Sequence, residues 1–199
     1  DLLKKVKSLI LLKEKNPYLE NQVTSELNKI KSFIQSVGYY FPSVDFLKKE
    51  NDNNTVDLIF DIELGEKAYI KEIVFVGEKT FKRRKLLNVI TSEEDKFWKF
   101  ISSKRLLNKQ RINLDKRLLL NFYKNKGYYK ASVLNETVQY DESQNFNVVF
   151  NINSGPKFYF GNFKIDLPDD FEKKYFNKID DKLKSFSGEK YSLKIIEKM

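Results

Sequence analysis

The stretch Gly38-Tyr39-Tyr40-Phe41-Pro42-Ser43-Val44 recurs later in the chain as Gly127-Tyr128-Tyr129-Lys130-Ala131-Ser132-Val133. A second block follows each copy, because Val56–Gly65 (VDLIFDIELG) aligns with Phe146–Gly155 (FNVVFNINSG). The distance from Gly38 to Gly127 is 89 residues and that from Gly65 to Gly155 is 90, so one inserted residue accounts for the difference. Ordered blocks at a constant period indicate a repeated supersecondary unit.

A helix is predicted immediately before each Gly-Tyr-Tyr, because apolar residues recur there at helical spacing. These residues are Val23, Leu27, Ile30 and Ile34 in the first copy and Ile112, Leu119, Phe122 and Tyr123 in the second. We expect the two helices over Glu20–Val37 and Gln110–Lys126. A shorter helix is expected over Phe81–Ile90, and another opens the chain at Leu2–Leu12.

Four glycines are assigned structural roles. Gly38 and Gly127 stand where a helix should end, and glycine adopts the left-handed C-cap conformation without a steric penalty. Both are therefore expected to have a positive φ. Gly65 and Gly155 interrupt the chain before a further strand.

Strands are predicted from apolar runs bounded by polar turn residues. The polar stretches Asn51–Asn54 and Asp141–Asn145 indicate hairpin turns. The predicted strands start near Tyr39 and Tyr128, cover Val56–Glu63 and Phe146–Asn153, and continue over Ile70–Val76 and Phe160–Leu167.

The order of these elements predicts an α+β fold made of tandem β-α-α-β-β modules, each with two helices on a three-stranded mixed sheet. Residues 1–67 form a module that lacks its first strand. Residues 68–156 form a complete module, and residues 157–199 form the start of a further, truncated one.

The composition excludes much catalytic chemistry. The 199 residues contain neither cysteine nor histidine, which removes cysteine nucleophiles, zinc sites and histidine acid–base catalysis. Ser102-Ser103-Lys104, Asp169-Asp170 and Asp180-Asp181 carry reactive groups but lie outside any glycine-rich or pocket-forming context. No catalytic residue, metal ligand or cofactor is therefore predicted.

The formal charge of +9 raises the alternative of a nucleic-acid-binding module. Its support is the basic runs Lys82–Lys85 and Lys104–Arg111. Acidic residues are interspersed along the chain, however, and leucines that must face a core dilute both runs. No apolar run approaches the ~18 residues of a membrane helix, and the first residues do not resemble a signal peptide.

The repeat resembles the POTRA family. A helix, Gly-Tyr, a strand, a polar turn and a strand ending in glycine are followed by Ile70–Gly77 with Phe81 four residues later, which is typical of where such a module begins. The aromatic cluster Phe97-Trp98-Lys99-Phe100 and the basic stretch Lys104–Arg111 resemble the third module of the array in an outer-membrane protein assembly factor. The flanking modules would then be the second and fourth.

This resemblance implies a polypeptide-binding and scaffolding region in the periplasm, attached to the outer membrane through a C-terminal barrel absent from the sequence. The implied partners are unfolded outer-membrane proteins, accessory lipoproteins of the assembly complex and that barrel, with no nucleic acid and no cofactor. Autotransporter-assembly and secretion pores with other POTRA arrays remain alternatives, as does a rigid spacer that binds nothing.

The resemblance also implies that the penultimate strand lies at the sheet edge, where unpaired backbone groups can accept an added strand. In the middle module this strand is Ala131–Tyr140. Alternation places Ala131 and Val133 on one face and Ser132 and Leu134 on the other. The predicted binding residues are Ala131, Ser132, Val133, Leu134, Asn135, Glu136, Thr137 and Val138.

Phe97, Trp98 and Phe100 form a possible docking loop for a partner or a lipid surface. The favoured interpretation is that these aromatic side chains fold back onto their own helices or an adjoining module.

Overall fold

The computed structural model describes residues 2–12, 16–99, 101–140, 146–168 and 172–199. Along the chain, two helices followed by two strands occur twice, and a further strand precedes the second pair of helices. The helices are α1 (Leu2–Leu9), α2 (Glu20–Ser36), α3 (Arg83–Leu87), α4 (Lys109–Lys124), α5 (Asn177–Lys184) and α6 (Leu193–Ile196). The strands are β1 (Ser43–Glu50), β2 (Val56–Glu63), β3 (Ile70–Glu78), β4 (Ser132–Tyr140) and β5 (Phe146–Asn153). Short 3-10 turns occur at Phe97–Lys99, Ser103–Arg105 and Lys173–Phe176.

The first module packs its helices on one face of an antiparallel hairpin. In β1 and β2, Val44 lies opposite Ile62 and Phe46 opposite Phe60. Because side chains alternate along a strand, these residues share the face that meets the helices. The core there is built from Val6, Ile30 and Ile34, against which Val44, Phe60 and Ile62 pack.

The middle sheet has the order β3-β5-β4. The Phe146 N–H donates to the Tyr69 C=O (3.2 Å) and the Ser154 N–H to the Glu78 C=O (3.1 Å), so like ends of β5 and β3 meet and the pair is parallel. Five residues separate β4 from β5, too few for a crossover, so that pair is antiparallel. The sheet is therefore mixed.

The central position of β5 explains its composition. Every second residue is buried, and three of the four positions that alternate with the buried ones are asparagine, Asn147, Asn151 and Asn153. The buried residues are Phe146, Val148, Phe150 and Ile152. The Phe150 ring stacks on that of Phe75 in β3, with centroids 5.7 Å apart.

The described contacts group the chain into two compact units. One comprises Asp1–Glu72, Ser92–Ile112 and Gln139–Asn147. The other comprises Ile73–Thr91, Asn113–Val138 and Val148–Met199. Both units take residues from the segment 68–156, so the boundaries predicted at residues 67 and 156 stay a prediction.

The predicted strand over Phe160–Leu167 is wrong. This segment contains no strand, and only its first residue takes part in backbone pairing, where the Phe160 N–H donates to the Glu189 C=O (2.8 Å) and the Gly188 N–H donates to the Phe160 C=O (2.9 Å). An extended segment becomes a strand only when a neighbour pairs along it. In the described part of the chain no neighbour does so beyond Phe160.

Some helices and strands also have bounds that differ from the predicted ones. The strands expected near Tyr39 and Tyr128 begin at Ser43 and Ser132. The residues between are used to close the preceding helix and make the turn, since the Ala131 N–H donates to the Tyr128 C=O (3.1 Å). The short helix predicted over Phe81–Ile90 is shorter than expected, because only Arg83–Leu87 (α3) is helical.

Candidate functional site

A glycine turn sets the start of β4. At the end of α4, the Gly127 N–H donates to the Lys124 C=O (3.2 Å) and the Tyr128 N–H to the Tyr123 C=O (3.1 Å). This pair of bonds is the Schellman motif, which requires a left-handed residue at Gly127. The φ of Gly127 is 95° and that of the equivalent Gly38 is 103°. The predicted positive φ is confirmed at both.

A second set of contacts fixes the same turn. The Gly127 C=O accepts a hydrogen bond of 2.7 Å from the Phe158 N–H, and the Tyr129 ring lies edge-on to that of Phe158, with centroids 5.9 Å apart. The Tyr129 ring also meets that of Tyr191 at 4.9 Å. The segment before β4 is thus held by the end of α4 and by Phe158 and Tyr191.

β4 occupies one edge of the middle sheet, because β5 is its only strand neighbour among the described residues. Ala131 and Val133 are buried beneath the sheet, whereas Leu134 is 57% exposed. Ser132 and Val138 are half-buried. The side chains of Asn135, Glu136 and Thr137 lie outside the part that the structure describes.

The opposite edge, at β3, is covered where the strand begins. The Tyr69 C=O faces β5, so the carbonyls of Ala68 and Ile70 point to the other side. There the Leu107 N–H donates to the Ala68 C=O (2.9 Å) and the Asp95 N–H to the Ile70 C=O (2.6 Å). The segment between α3 and α4 therefore blocks the start of this edge, which sequence reasoning had not considered.

The aromatic loop departs from its favoured interpretation. Phe97 is 85% exposed and Trp98 60% exposed, so packing onto the chain's own helices is wrong for both. Their rings meet edge-on at 4.6 Å between centroids. Phe100 lies outside the described residues. Ile101, which the sequence reading missed, is also 85% exposed, and the apolar run around Trp98 was the signal for it.

Two of the polar groups considered for catalysis, Ser102 and Asp180, have partners within the protein. The Ser102 hydroxyl caps a 3-10 turn by accepting from the Lys104 N–H (3.3 Å). Asp180 pairs with Lys184 one helical turn later (2.5 Å), and its hydrogen bond raises the pKa of that lysine. Asp169 and Asp170 lie outside the described residues. Within the described part of the chain, no group of three or more acidic residues could hold a metal ion.

The arginines of the basic stretch Lys104–Arg111 make contacts within the protein. The Arg105 guanidinium contacts the Asp95 carboxylate (2.5 Å) and lies 4.6 Å from the centre of the Tyr69 ring. Arg111 donates to the carbonyls of Ser103 (2.9 Å) and Leu106 (3.3 Å). These contacts hold the loop before α4 to the protein through one nitrogen of each guanidinium.

No helix of the described residues has both the length and the apolar content to cross a membrane.

Together these features define a class of protein: a tandem array of small α+β modules in which one sheet keeps an open strand edge. The chain belongs to the POTRA family. The family's sequence model, described as surface antigen variable number repeat, matches residues 3–65 and 68–155.

Curated relatives carry the name outer membrane protein assembly factor BamA. The protein of Buchnera aphidicola is 27% identical over 148 residues, which are 73% of this chain and 24% of the relative. That of Neisseria meningitidis is 26% identical over 114 residues, 57% of this chain and 14% of the relative. The chain thus spans a quarter or less of the length of these two relatives.

Solved structures show the same fold at low sequence identity. POTRA modules 3–5 of Haemophilus influenzae BamA match with a TM-score of 0.56 at 13% identity, over 98% of this chain and 76% of that one. BamA of Haemophilus ducreyi lacking modules 1–3 matches with a TM-score of 0.56 at 19% identity, over 76% of this chain and 26% of that one. The placement of this chain as modules two to four stays a prediction.

Proposed function

We propose that this chain is the periplasmic polypeptide-binding and scaffolding region of an outer-membrane β-barrel assembly machine. A C-terminal membrane barrel, which the sequence does not include, would attach it to the outer membrane. Membership of the POTRA family and likeness to proteins named as BamA support the proposal. Its partners would be unfolded outer-membrane proteins and the accessory lipoproteins of the machine.

In the proposed mechanism, an extended chain pairs with the open edge of β4. The outward N–H and C=O groups of an edge strand can pair with an extended chain of almost any sequence. That property suits a machine that handles many unfolded substrates. The β3 edge is a poorer acceptor, because Asp95 and Leu107 already donate to its first outward carbonyls.

The contacts at the start of β4 favour a fixed template over a flexible one. The Schellman turn at Gly127 and the contacts of Tyr129 hold the strand before its first residue. Burial of Val133 then fixes which face meets the helices. A guest strand would therefore meet backbone groups already in register, which lowers the entropy lost on binding.

Two neighbouring proline variants test this mechanism. Successive N–H groups of a strand point to opposite edges, so of Val133 and Leu134 one donates to β5 and the other points outward. Val133→Pro and Leu134→Pro should therefore behave differently. The variant that loses an N–H directed at β5 should have a strongly lowered melting temperature, because a hydrogen bond between the two strands is lost. The variant that loses the outward N–H should stay folded.

The folded proline variant should bind guest strands about tenfold more weakly, corresponding to about 1.4 kcal/mol. Binding is read from the fluorescence anisotropy of a labelled peptide that copies one strand of an outer-membrane barrel. Val133→Ala and Leu134→Ala are the matched controls for the two proline variants, because each shortens the same side chain and keeps the N–H, so the affinity of each should stay near that of the parent. A folded proline variant that binds as tightly as the parent would refute strand addition at β4.

A further inference from the structure

The loop between α3 and α4 carries three large apolar side chains that are mostly exposed, Phe97, Trp98 and Ile101, which we call the aromatic tip. Their exposed fractions are 85%, 60% and 85%. Single exposed apolar residues are ordinary on a protein surface, whereas several large ones side by side mark an interaction site. None of the three takes part in the edge of β4.

Two ion pairs beside the aromatic tip place lysine outside glutamate, whereas the Asp95 side chain is 37% exposed and that of its partner Arg105 is 19% exposed. The side chains of Lys96 and Lys104 are 44% and 58% exposed, whereas their partners Glu94 and Glu93 are 10% and 27% exposed. The Lys96 ammonium also lies 5.6 Å from the centre of the Trp98 ring. The outermost groups are thus ammonium groups and apolar side chains, while these two carboxylates lie deeper.

The base of the loop is closed by specific contacts. The Glu93 N–H donates to the Lys104 C=O (3.0 Å), which joins the two arms of the loop. The Arg105 guanidinium, paired with Asp95 and stacked on Tyr69, holds the same base. The aromatic tip is therefore presented on a fixed support.

We propose that the aromatic tip inserts into the interfacial layer of a lipid bilayer. Tryptophan and phenylalanine suit this layer, because a ring can meet acyl chains while polar groups nearby stay hydrated. Lysines beside such a tip lay their methylene stems along the apolar surface and place their ammonium groups at the level of lipid phosphates. The depth order of lysine and glutamate matches an anionic surface and opposes a cationic one.

Trp98 gives a direct test, because it is the one tryptophan in the sequence. The chain is titrated with vesicles of phosphatidylcholine and with vesicles that also contain phosphatidylglycerol. The Trp98 emission should shift to shorter wavelength as the ring leaves water. Partitioning should be several-fold stronger with phosphatidylglycerol and should weaken at high salt, because exposed ammonium groups are screened.

Variants distinguish membrane binding by the aromatic tip from nonspecific binding by other exposed apolar residues. Phe97→Ser and Ile101→Ser keep the fluorescent reporter and should each lower the partition coefficient by about tenfold or more, from the apolar area withheld from lipid. Lys96→Gln with Lys104→Gln should remove the preference for phosphatidylglycerol. Leu47→Ser is the matched control, because Leu47 is 64% exposed and belongs to β1 and not to this loop, so its loss should leave partitioning unchanged.

Three outcomes would overturn the proposal. One is an emission maximum that stays constant with both kinds of vesicle, and another is equal loss of partitioning in Leu47→Ser and Phe97→Ser. The third is a blue shift on adding the barrel-strand peptide with none on adding vesicles, which would assign the aromatic tip to protein binding. Circular dichroism melts check that each variant is folded, which is expected because these side chains are mostly exposed. Failure here leaves the β4 mechanism standing, because its proline variants read a different surface.

Discussion

Replacing Gly38 with alanine should destabilise the chain more than the same change at Gly127, although both glycines end a helix in the same way. Each has a φ near +100°, which an L-residue adopts at a cost of about 1–2 kcal/mol. The surroundings differ. A Cβ on Gly38 would lie 2.8 Å from Cδ1 and 3.1 Å from Cβ of Leu106, whereas at Gly127 its nearest neighbour is the Phe158 carbonyl oxygen at 3.4 Å.

The contact with Leu106 adds an overpacking penalty of about 1–3 kcal/mol at Gly38. We therefore expect Gly38→Ala to lower the free energy of unfolding by about 2–5 kcal/mol and Gly127→Ala by about 1–2 kcal/mol. Urea denaturation followed by circular dichroism measures both. Hydrogen exchange resolved by segment shows whether α2 or α4 is the helix that loses protection.

Leu106→Ala provides the control for this reasoning. In that background the alanine at position 38 no longer meets Cδ1, so its cost should fall towards the backbone term of about 1–2 kcal/mol. Equal costs of Gly38→Ala in both backgrounds would show that the contact with Cδ1 of Leu106 contributes nothing. Unchanged denaturation curves for both glycine variants would refute the Schellman assignment itself.

Two further predictions concern buried polar groups. Burial raises the pKa of the Tyr123 phenol above its ordinary 10.0, so the unfolded chain ionises first and stability should fall as the pH rises from about 10 through the folded pKa. Tyr123→Phe should flatten that fall in urea titrations at alkaline pH, and an unchanged slope would contradict the assignment. The buried Asp115 carboxylate accepts from the N–H (2.6 Å) and hydroxyl (2.7 Å) of Thr91, so Asp115→Ala should cost about 1–3 kcal/mol in a thermal melt. A loss no larger than that of Arg117→Ala, a neighbour with an exposed side chain, would count against this role.

The parts of the fold that depend on local pattern could be predicted from the sequence. The strands Val56–Glu63 and Phe146–Asn153 have the predicted bounds, because alternation and flanking turn residues mark both ends of each. The positive φ at Gly38 and Gly127 followed from a helix ending at a glycine. The repeat of about ninety residues pointed to the POTRA family, since a module that recurs in order repeats its core pattern.

The predictions that failed depended on neighbours distant in sequence. Phe160–Leu167 has a strand-like composition, yet a strand also requires a partner, and composition does not reveal whether one is present. Phe97 and Trp98 were expected to be packed because they are aromatic, but burial depends on whether another surface reaches them. The structure leaves both exposed.

The sequence by itself determined the module, its order of elements and the helix-ending glycines, because these arise from periodicity and backbone preference within short segments. Only the tertiary structure decided which sheet edge is available. The β3 carbonyls of Ala68 and Ile70 are taken by the amides of Leu107 and Asp95, which lie 39 and 25 residues further along the chain. Backbone groups are the same in every residue, so no side-chain pattern records which of them pair. That pairing leaves the edge at β4 as the proposed place for another chain.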